Sequence, residues 1–477
     1  MRSSGPRFLV SFLLGALLAG CNIVVLPPAP PPGVAQVVST DNSGNAGNGV
    51  SGQPALSATG RFLAFDSTST NLVTPNTTQQ DVFLHDSCVG SGGCAAATIL
   101  ASAISGASRE PNFISQGPAS ISADGRFVAF VSFSSNLVTP NAAHPQAYLH
   151  DTCAGAPTGC VPQTFFALTS TTGGEPNQGT DVPAMSSTGR FVASRTFATN
   201  LVPGVSNAGL QLYLHDNCRG VPPVACNVAL SNTIVSVDNS GNPSNGVVGA
   251  FAAVSADGRF VAFNTNATNL VPRVPSGVGQ IYLRDTCIGA ANCTPGTTLV
   301  SVDSAGNPGF ADSFVPAISD DGRFIVFTSN AALVAADANG VEDVYLRDTC
   351  NSSSGPVGGC TPSTSLISVA MNGTAADSFS ANTFHAISAN GRFVVFESNA
   401  TNLVLTSVPT GQSQIFVRDT CFSTANCTPK TVLISVGQNG IPVGGVAASI
   451  SADGHFAAFA EIFGPNGGQN LLARTGF

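Results

Sequence analysis

The sequence predicts an all-β fold: a seven-bladed β-propeller with four antiparallel strands per blade, the last blade completed by the N-terminal strand. Three observations carry this. A segment of the type S-A-D-G-R-F-V-A-F recurs seven times, with turn glycines at Gly60, Gly125, Gly189, Gly258, Gly322, Gly391 and Gly454, spaced 65, 64, 69, 64, 69 and 63 residues apart. Each period reads as four short strands separated by turn residues, the pattern of a ring of equivalent β units. The seventh unit offers only three strands before Phe477, while "AQVVSTDNSGN" from Ala35 matches "TIVSVDNSGN" from Thr233, a fourth strand in its own unit.

Residues 1–20 precede the repeats. Arg2 and Arg7 are followed by the apolar run "FLVSFLLGALLAG", too short for a comfortable membrane span, and then by Cys21. This stretch resembles a bacterial lipoprotein signal peptide, with Leu18-Ala19-Gly20-Cys21 similar to the lipobox. The resemblance implies lipidation of Cys21 and, since Asn22 is not the aspartate linked to inner-membrane retention, an outer-membrane destination. Residues 21–34 then form a Pro-rich tether, "LPPAPPPG" at its centre, able to reach on the order of 40 Å.

Residues 35–477 hold the propeller, with blades near 47–104, 117–170, 180–238, 247–303, 313–370, 382–436 and 445–474, the last joined by 35–41. The fifth unit shows how each is read. "SFVPAIS" is an inner strand ending at Asp320-Asp321-Gly322, where Asp and Gly tolerate the positive φ of a tight hairpin. "RFIVFTSN" is a second strand, rich in aromatic and β-branched residues. "DVYLRDT" from Asp343 is a third, and "SLISVA" from Ser365 a fourth, followed by a Gly/Asn-rich link to the next blade. The N-terminal strand pairing with the seventh blade would join the two ends of the ring by backbone hydrogen bonds.

Thirteen cysteines comprise Cys21 and one close pair in each of the first six units: Cys88 and Cys94, Cys153 and Cys160, Cys218 and Cys226, Cys287 and Cys293, Cys350 and Cys360, Cys421 and Cys427. Each pair spans the turn between third and fourth strands, so a bridge pins the outer hairpin. Loops this short contribute roughly 2 to 3 kcal/mol each. The spacings vary from six to ten residues and no C-x-x-C occurs, which disfavours zinc. Twelve paired cysteines indicate an oxidising compartment.

Charged residues are only 9% of the chain, against about 25% in ordinary globular proteins. With Lys430 as the single lysine and a net charge of −9, there is no basic stripe, and nucleic acid is excluded as a partner. The charges that exist recur. Arg61, Arg126, Arg190, Arg259, Arg323 and Arg392 follow the turn glycines; Asp86, Asp151, Asp216, Asp285, Asp348 and Asp419 end the third strands. Antiparallel pairing brings these positions together, so Arg61 with Asp86, and each equivalent, is expected to be a structural ion pair within its blade. The residue before each aspartate is His85, His150 or His215 in the first three units and Arg284, Arg347 or Arg418 in the next three.

The pattern S-x-D-G-R-[FI]-[VI]-[AV]-F followed by [VI]-[YF]-[LV]-R-D resembles the WD40-like, TolB-type (PD40) β-propeller repeat over residues 35–477. The resemblance implies a propeller and no particular chemistry, because such repeats serve scaffolds, sensors and enzyme-accessory domains. The chain departs from TolB, which has six blades and a preceding α/β domain, and no interaction residues carry over.

No G-x-S-x-G elbow, H-E-x-x-H or phosphate loop occurs, so no catalytic residue and no organic cofactor is expected. One candidate metal site is Asp337, Asn339 and Asp343 around Gly340 in "DANGVED", reminiscent of a calcium loop; the other reading is a turn capped by its own side chains. His144 and His385 stand outside the repeat and read as loop or surface histidines. Arg109, Glu110 and Arg195 are charges that most units lack, and mark places where a binding face could be written. The expected function is a lipid-anchored cell-envelope scaffold, periplasmic or surface-exposed, that binds an envelope protein without catalysis and touches membrane through its anchor only. The alternatives are a polysaccharide- or peptide-directed enzyme or accessory propeller, and a small-ligand sensor. The absence of tryptophan, with Tyr148, Tyr213, Tyr282 and Tyr345 all at one third-strand place, argues against sugar platforms.

Peptide mapping of the non-reduced protein is expected to find the twelve repeat cysteines as six local pairs. Long-range bridges or free thiols would contradict the blade assignment.

Overall fold

Seven four-stranded antiparallel sheets make up the ring, the first six with their strands in sequence order from the axis outward and the seventh with the N-terminal strand outermost. The computed structural model describes residues 34–205, 209–219, 232–422, 424–462 and 468–477; Cys21, the leader, the tether up to Gly33 and Cys226 lie outside them. No helix occurs among the described residues. The first blade comprises Ser51–Leu56, Phe62–Ser67, Asp81–Asp86 and Ala97–Leu100, and the fifth Ser313–Ile318, Phe324–Ser329, Asp343–Asp348 and Ser363–Leu366. The fourth strand of the fifth blade begins two residues before the expected Ser365. It is cut short where Val369 bridges to Ala375 in the link. In the seventh blade, Gln36–Val37 pairs with Asn470–Arg474, with Gln36 opposite Leu472 and Val37 opposite Leu471. Ala35 N–H also donates to Val436 of the sixth blade at 3.0 Å, so this short segment stitches two blades.

The repeat motif is the blade-to-blade contact. The turn glycines take φ between +73° and +79°, a region in which side chains are strained. A methyl at any of them would stand 2.1 to 2.7 Å from a phenylalanine of the preceding blade: Phe456 against Gly60, Phe62 against Gly125, and so on to Phe393 against Gly454. Each phenylalanine follows the arginine of its own motif. In the first six blades that arginine lies over the ring with its guanidinium carbon 4.6 to 5.0 Å from the centroid. Its edge is taken by the third-strand aspartate in a two-pronged pair, Nη2 to Oδ2 at 2.6 to 2.8 Å and Nε to Oδ1 at 2.7 to 2.9 Å. Bidentate geometry fixes the guanidinium plane as a lysine could not. In the seventh blade His455 replaces the arginine and bonds Asp453 instead, 3.1 Å away.

The disulfides complete the same cluster. The first cysteine of every pair has φ between 56° and 62°, and its N–H donates to the paired aspartate at 2.8 to 3.0 Å. Five bridges are described, with Cα atoms 5.5 to 5.8 Å apart: Cys88 to Cys94, Cys153 to Cys160, Cys287 to Cys293, Cys350 to Cys360 and Cys421 to Cys427. The clusters of Asp and Cys that could be mistaken for metal ligands are these bridged sulfurs with their carboxylate neighbours. The four tyrosines are buried, as expected of core positions.

Replacing Gly258 by alanine is expected to cost far more than replacing Gly241. Both have positive φ, worth about 1–2 kcal/mol against alanine. Only Gly258 would also drive a methyl into Phe191, at 2.4 Å, whereas Gly241 has open space around it. Overpacking adds about 1–3 kcal/mol. Equal losses in denaturant unfolding of the two variants would mean that the inter-blade contact contributes nothing.

Candidate functional site: the axial channel

The seven inner strands enclose an axial channel whose two ends are built differently. At the end where these strands finish, the residue before each Asp-Gly or equivalent hairpin faces the axis, and its backbone bonds the next blade. Ala58 N–H donates to Ala123, Ala123 to Ser187, Ala256 to Asp320, Asp320 to Ala389, Ala389 to Ala452 and Ala452 to Ala58, at 2.7 to 3.0 Å. The remaining interface is crossed by the Thr188 hydroxyl, which donates to Ala256 O at 2.9 Å. The bonds form a closed ring of one sense, and small side chains are needed where the blades approach so closely. Within it lies a chamber of about 110 Å³, lined mainly by Ala, Ile and Ser, with Asp320 as the one carboxylate. Burial holds the Asp320 carboxyl above the usual range, partly offset by the Ser187 hydroxyl.

At the other end the inner strands are irregular. From the first strand residue to the turn glycine they span ten residues in the fifth blade, Ser313 to Gly322, but twelve in the sixth, Ser380 to Gly391. The sixth blade therefore keeps only Ser380–Ala381 as an inner strand and throws the following loop across the axis. His385 Nε2 reaches Ala119 O of the second blade, 3.2 Å away, and Phe384 stacks on Phe251 of the fourth blade with ring centroids 5.8 Å apart. Asn382 Nδ2 donates to Val315 O at 2.7 Å, and the Thr383 hydroxyl bonds Ala448 O of the seventh blade. One blade thus contacts four others through a plug that closes the channel midway.

Outside the plug is an apolar cup of about 190 Å³, lined by Pro54, Phe251, Val315, Phe384, Ala447 and their neighbours. Gln53, Val315 and Ala447 on its wall have φ of 45°, 51° and 54°. A β-branched residue such as valine is rarely found there, and such backbone persists only where surroundings impose it. Burial lowers the pKa of His385 to about 4, opposed by its bond to Ala119, so the imidazole is neutral and donates from Nε2. Its expected place in a surface loop is corrected: the two extra residues carry it to the axis.

The other charges outside the repeat brace blades together. Glu110 accepts Thr78 N–H at 2.6 Å and Gln79 N–H at 3.0 Å. Glu175 accepts the N–H groups of Ala143 and His144, and pairs with the His144 ring at 3.3 Å. Arg195 bonds Asp181 at 2.5 Å and reaches Val248 O of the next blade at 2.8 Å. His85 and His150 are buried with pKa pushed to about 4, each bonded through Nδ1 to a fourth-strand threonine. Arg284, Arg347 and Arg418 reach the equivalent threonines of their own blades. This explains the exchange of His for Arg at that place.

The calcium candidates are engaged by protein groups. Asp337 accepts the Tyr345 hydroxyl, and Asn339 turns its amide donor to Asp343 at 2.6 Å and to Ala376 O at 3.0 Å. Asp343 accepts the Ser368 hydroxyl at 2.5 Å, as Gln211, Gln280 and Gln414 accept Ser236, Ser301 and Ser435 in other blades. Burial lifts Asp343 to about 6. The three residues are arranged as a capped turn, with a donor where a cation needs an oxygen.

No protein-family model matches the chain, and neither does any curated protein. Among solved structures, an oligogalacturonate lyase from Vibrio parahaemolyticus is 10% identical over 92% of this chain and 93% of its own, with a TM-score of 0.47. A hydrazine synthase from Kuenenia stuttgartiensis is 12% identical over 88% of this chain and 94% of its own, with a TM-score of 0.40. A TolB from Agrobacterium tumefaciens is 17% identical over 63% of this chain and 78% of its own, with a TM-score of 0.33. At these values no activity transfers; the propeller assignment rests on the strand pairing.

The plug should register in the pH dependence of stability. An imidazole whose pKa falls on folding leaves the unfolded chain binding more protons between about 4 and 6.5, so its contribution is lost as pH falls through that window. The melting temperature of the wild type relative to His385→Gln is expected to decline from pH 6.5 to 4 and level off outside it. Parallel curves would place His385 in solvent.

Proposed function

We propose that the chain is a lipid-anchored propeller of a bacterial cell envelope, acting as a non-catalytic scaffold that binds another envelope protein. The observation that supports this is the distribution of exposed apolar side chains. Of the thirteen large ones among the described residues, eleven lie in the links that lead to inner strands or in the loops after second strands, all on one face; Ile99 and Val161 are the exceptions. They include Val50, Phe113, Phe133, Phe197, Val247 and Leu405, from 43% to 91% exposed. Apolar side chains concentrated on one face mark a protein-binding surface more than a catalytic one. Glu110, Glu175 and Arg195, charges outside the repeat, are engaged in bonds between blades, and no cofactor is invoked.

The point of entry of the chain agrees with this reading. Val34 and Ala35 stand where Gly296 and Thr297 stand in the fourth blade, at the end of an outer strand beside the disulfide hairpins. A tether from Cys21 would meet the ring on that side and turn the apolar face away from the bilayer. The disulfides suit an oxidising compartment such as the periplasm or the cell surface.

The test is crosslinking in intact cells followed by affinity capture, comparing the wild type with Cys21→Ser. The variant is expected to leave the membrane fraction and to lose a reproducible envelope partner captured by the wild type. Retention in the membrane would refute lipidation. A purified propeller that instead binds glycan or turns over peptide would refute the scaffold.

A further inference from the structure

On the apolar face, the first four blades and the sixth close the gap between their incoming link and the loop after their second strand with a polar clasp. In the link ahead of the inner strand, Asn48, Asn112, Asn177 and Asn245 bond a Thr-Asn or Ser-Asn pair in that loop. Asn48, for example, receives Thr70 N–H at 2.8 Å and donates its own N–H to Asn71 at 2.9 Å. In the sixth blade Asp377 does the same with Thr401 and Asn402. The fifth blade breaks the rule. Phe310 occupies the clasp position, the loop reads Asn330-Ala331-Ala332-Leu333, one residue shorter, and the Thr-Asn pair is gone.

What remains is an open recess of about 590 Å³ lined by Pro308, Phe310, Ala331, Ala332 and Leu333, with Asp303 at its edge. Phe310 is 82% exposed, a large apolar surface left in water where the first four blades place an amide. Gly309 lets the link lie against this floor, since a methyl there would meet Ala331 at 2.9 Å. The Asp303 carboxylate is held by the N–H groups of Ala305 and Asn307 and the Asn307 side chain, all at 2.8 Å. Those bonds keep its pKa below the usual carboxylate value, so it is an anion fixed beside an apolar pit.

We propose that this recess docks a segment of a partner protein that presents an aromatic or aliphatic side chain next to a lysine or arginine. The apolar residue covers Phe310 and the alanine floor, and the cation meets Asp303. Charge complementarity selects the cationic partner, since the chain carries a net charge of −9 and no base lines the recess. The site deepens the scaffold reading and rests on it, by naming where on the apolar face, and to what chemistry, the scaffold binds.

The test pans a display library of random dodecapeptides on the purified full-length chain and measures the enriched peptides by fluorescence anisotropy. Peptides pairing a basic residue with an aromatic or aliphatic one are expected to dominate. They should bind at least tenfold more weakly to Phe310→Asn, which installs the residue the first four blades carry there and is expected to melt like the wild type, and to Asp303→Asn. Enriched peptides that are acidic or uncharged, that bind Phe310→Asn as tightly as the wild type, or that fail to emerge would each overturn the recess as a docking site. The crosslinking experiment, not this one, then decides whether the scaffold itself stands.

Discussion

The approach of a phenylalanine ring to a glycine that has no side chain to resist it, repeated at seven blade interfaces, is the contact from which the rest of this structure follows. It requires glycine at the hairpin for both φ and space, and an aromatic residue at the start of the second strand. The arginine between them then holds that ring from within its own blade, stacked on it and gripped by the aspartate that ends the third strand. The disulfide hairpin pivots on that same aspartate through the N–H of its first cysteine. A motif that looks like a hairpin signature is therefore an interface signature, and its members are tied to one another more than to their own strands. This also explains how so few charges suffice: six of the arginines are each paired with an aspartate of the same blade, behind the ring that meets the next one.

Closure of the ring sets a second constraint, on the inner strands. Near the hairpin end their backbones are locked by hydrogen bonds from blade to blade, which leaves no freedom in side-chain size. At the opposite end the same strands are free to bulge, and they differ in length and conformation. The strained backbone at Gln53, Val315 and Ala447 and the plug at Phe384 and His385 all fall there. The molecule thus has a uniform face, hardened by disulfides and ion pairs, and a variable face on which the blades have diverged. Exposed apolar side chains gather on the variable face.

Much of this was legible in the sequence because a repeat exposes its own rules. Seven matches in register give the blade count, and antiparallel geometry alone brings Arg61 to Asp86. The missing fourth strand of the seventh unit points to Gln36 and Val37. What could not be read depends on register between blades. His385 looks like a loop residue until the two extra positions of its strand are seen to cross the axis. Glu110 and Arg195 look like candidate binding groups because nothing in the sequence says which backbone amides and carbonyls of a neighbouring blade they meet. Asp343, read as a cation ligand, occupies a place taken by glutamine in four blades and by Asp81 in the first, and only the structure shows the hydroxyl it accepts from Ser368. Phe310 escaped notice because the clasp it replaces is a tertiary contact with no local sequence signal of its own.

If the blade-to-blade contacts govern stability, the ring opens as a unit rather than blade by blade. Native-state hydrogen exchange of the axial amides of Ala58, Ala123, Ala256, Asp320, Ala389 and Ala452 tests this most directly. All six are expected to exchange slowly and at one common free energy, equal to that of global unfolding. A graded series, with the amides flanking the junction of the N-terminal strand exchanging early, would contradict the account and make each blade its own unit of stability.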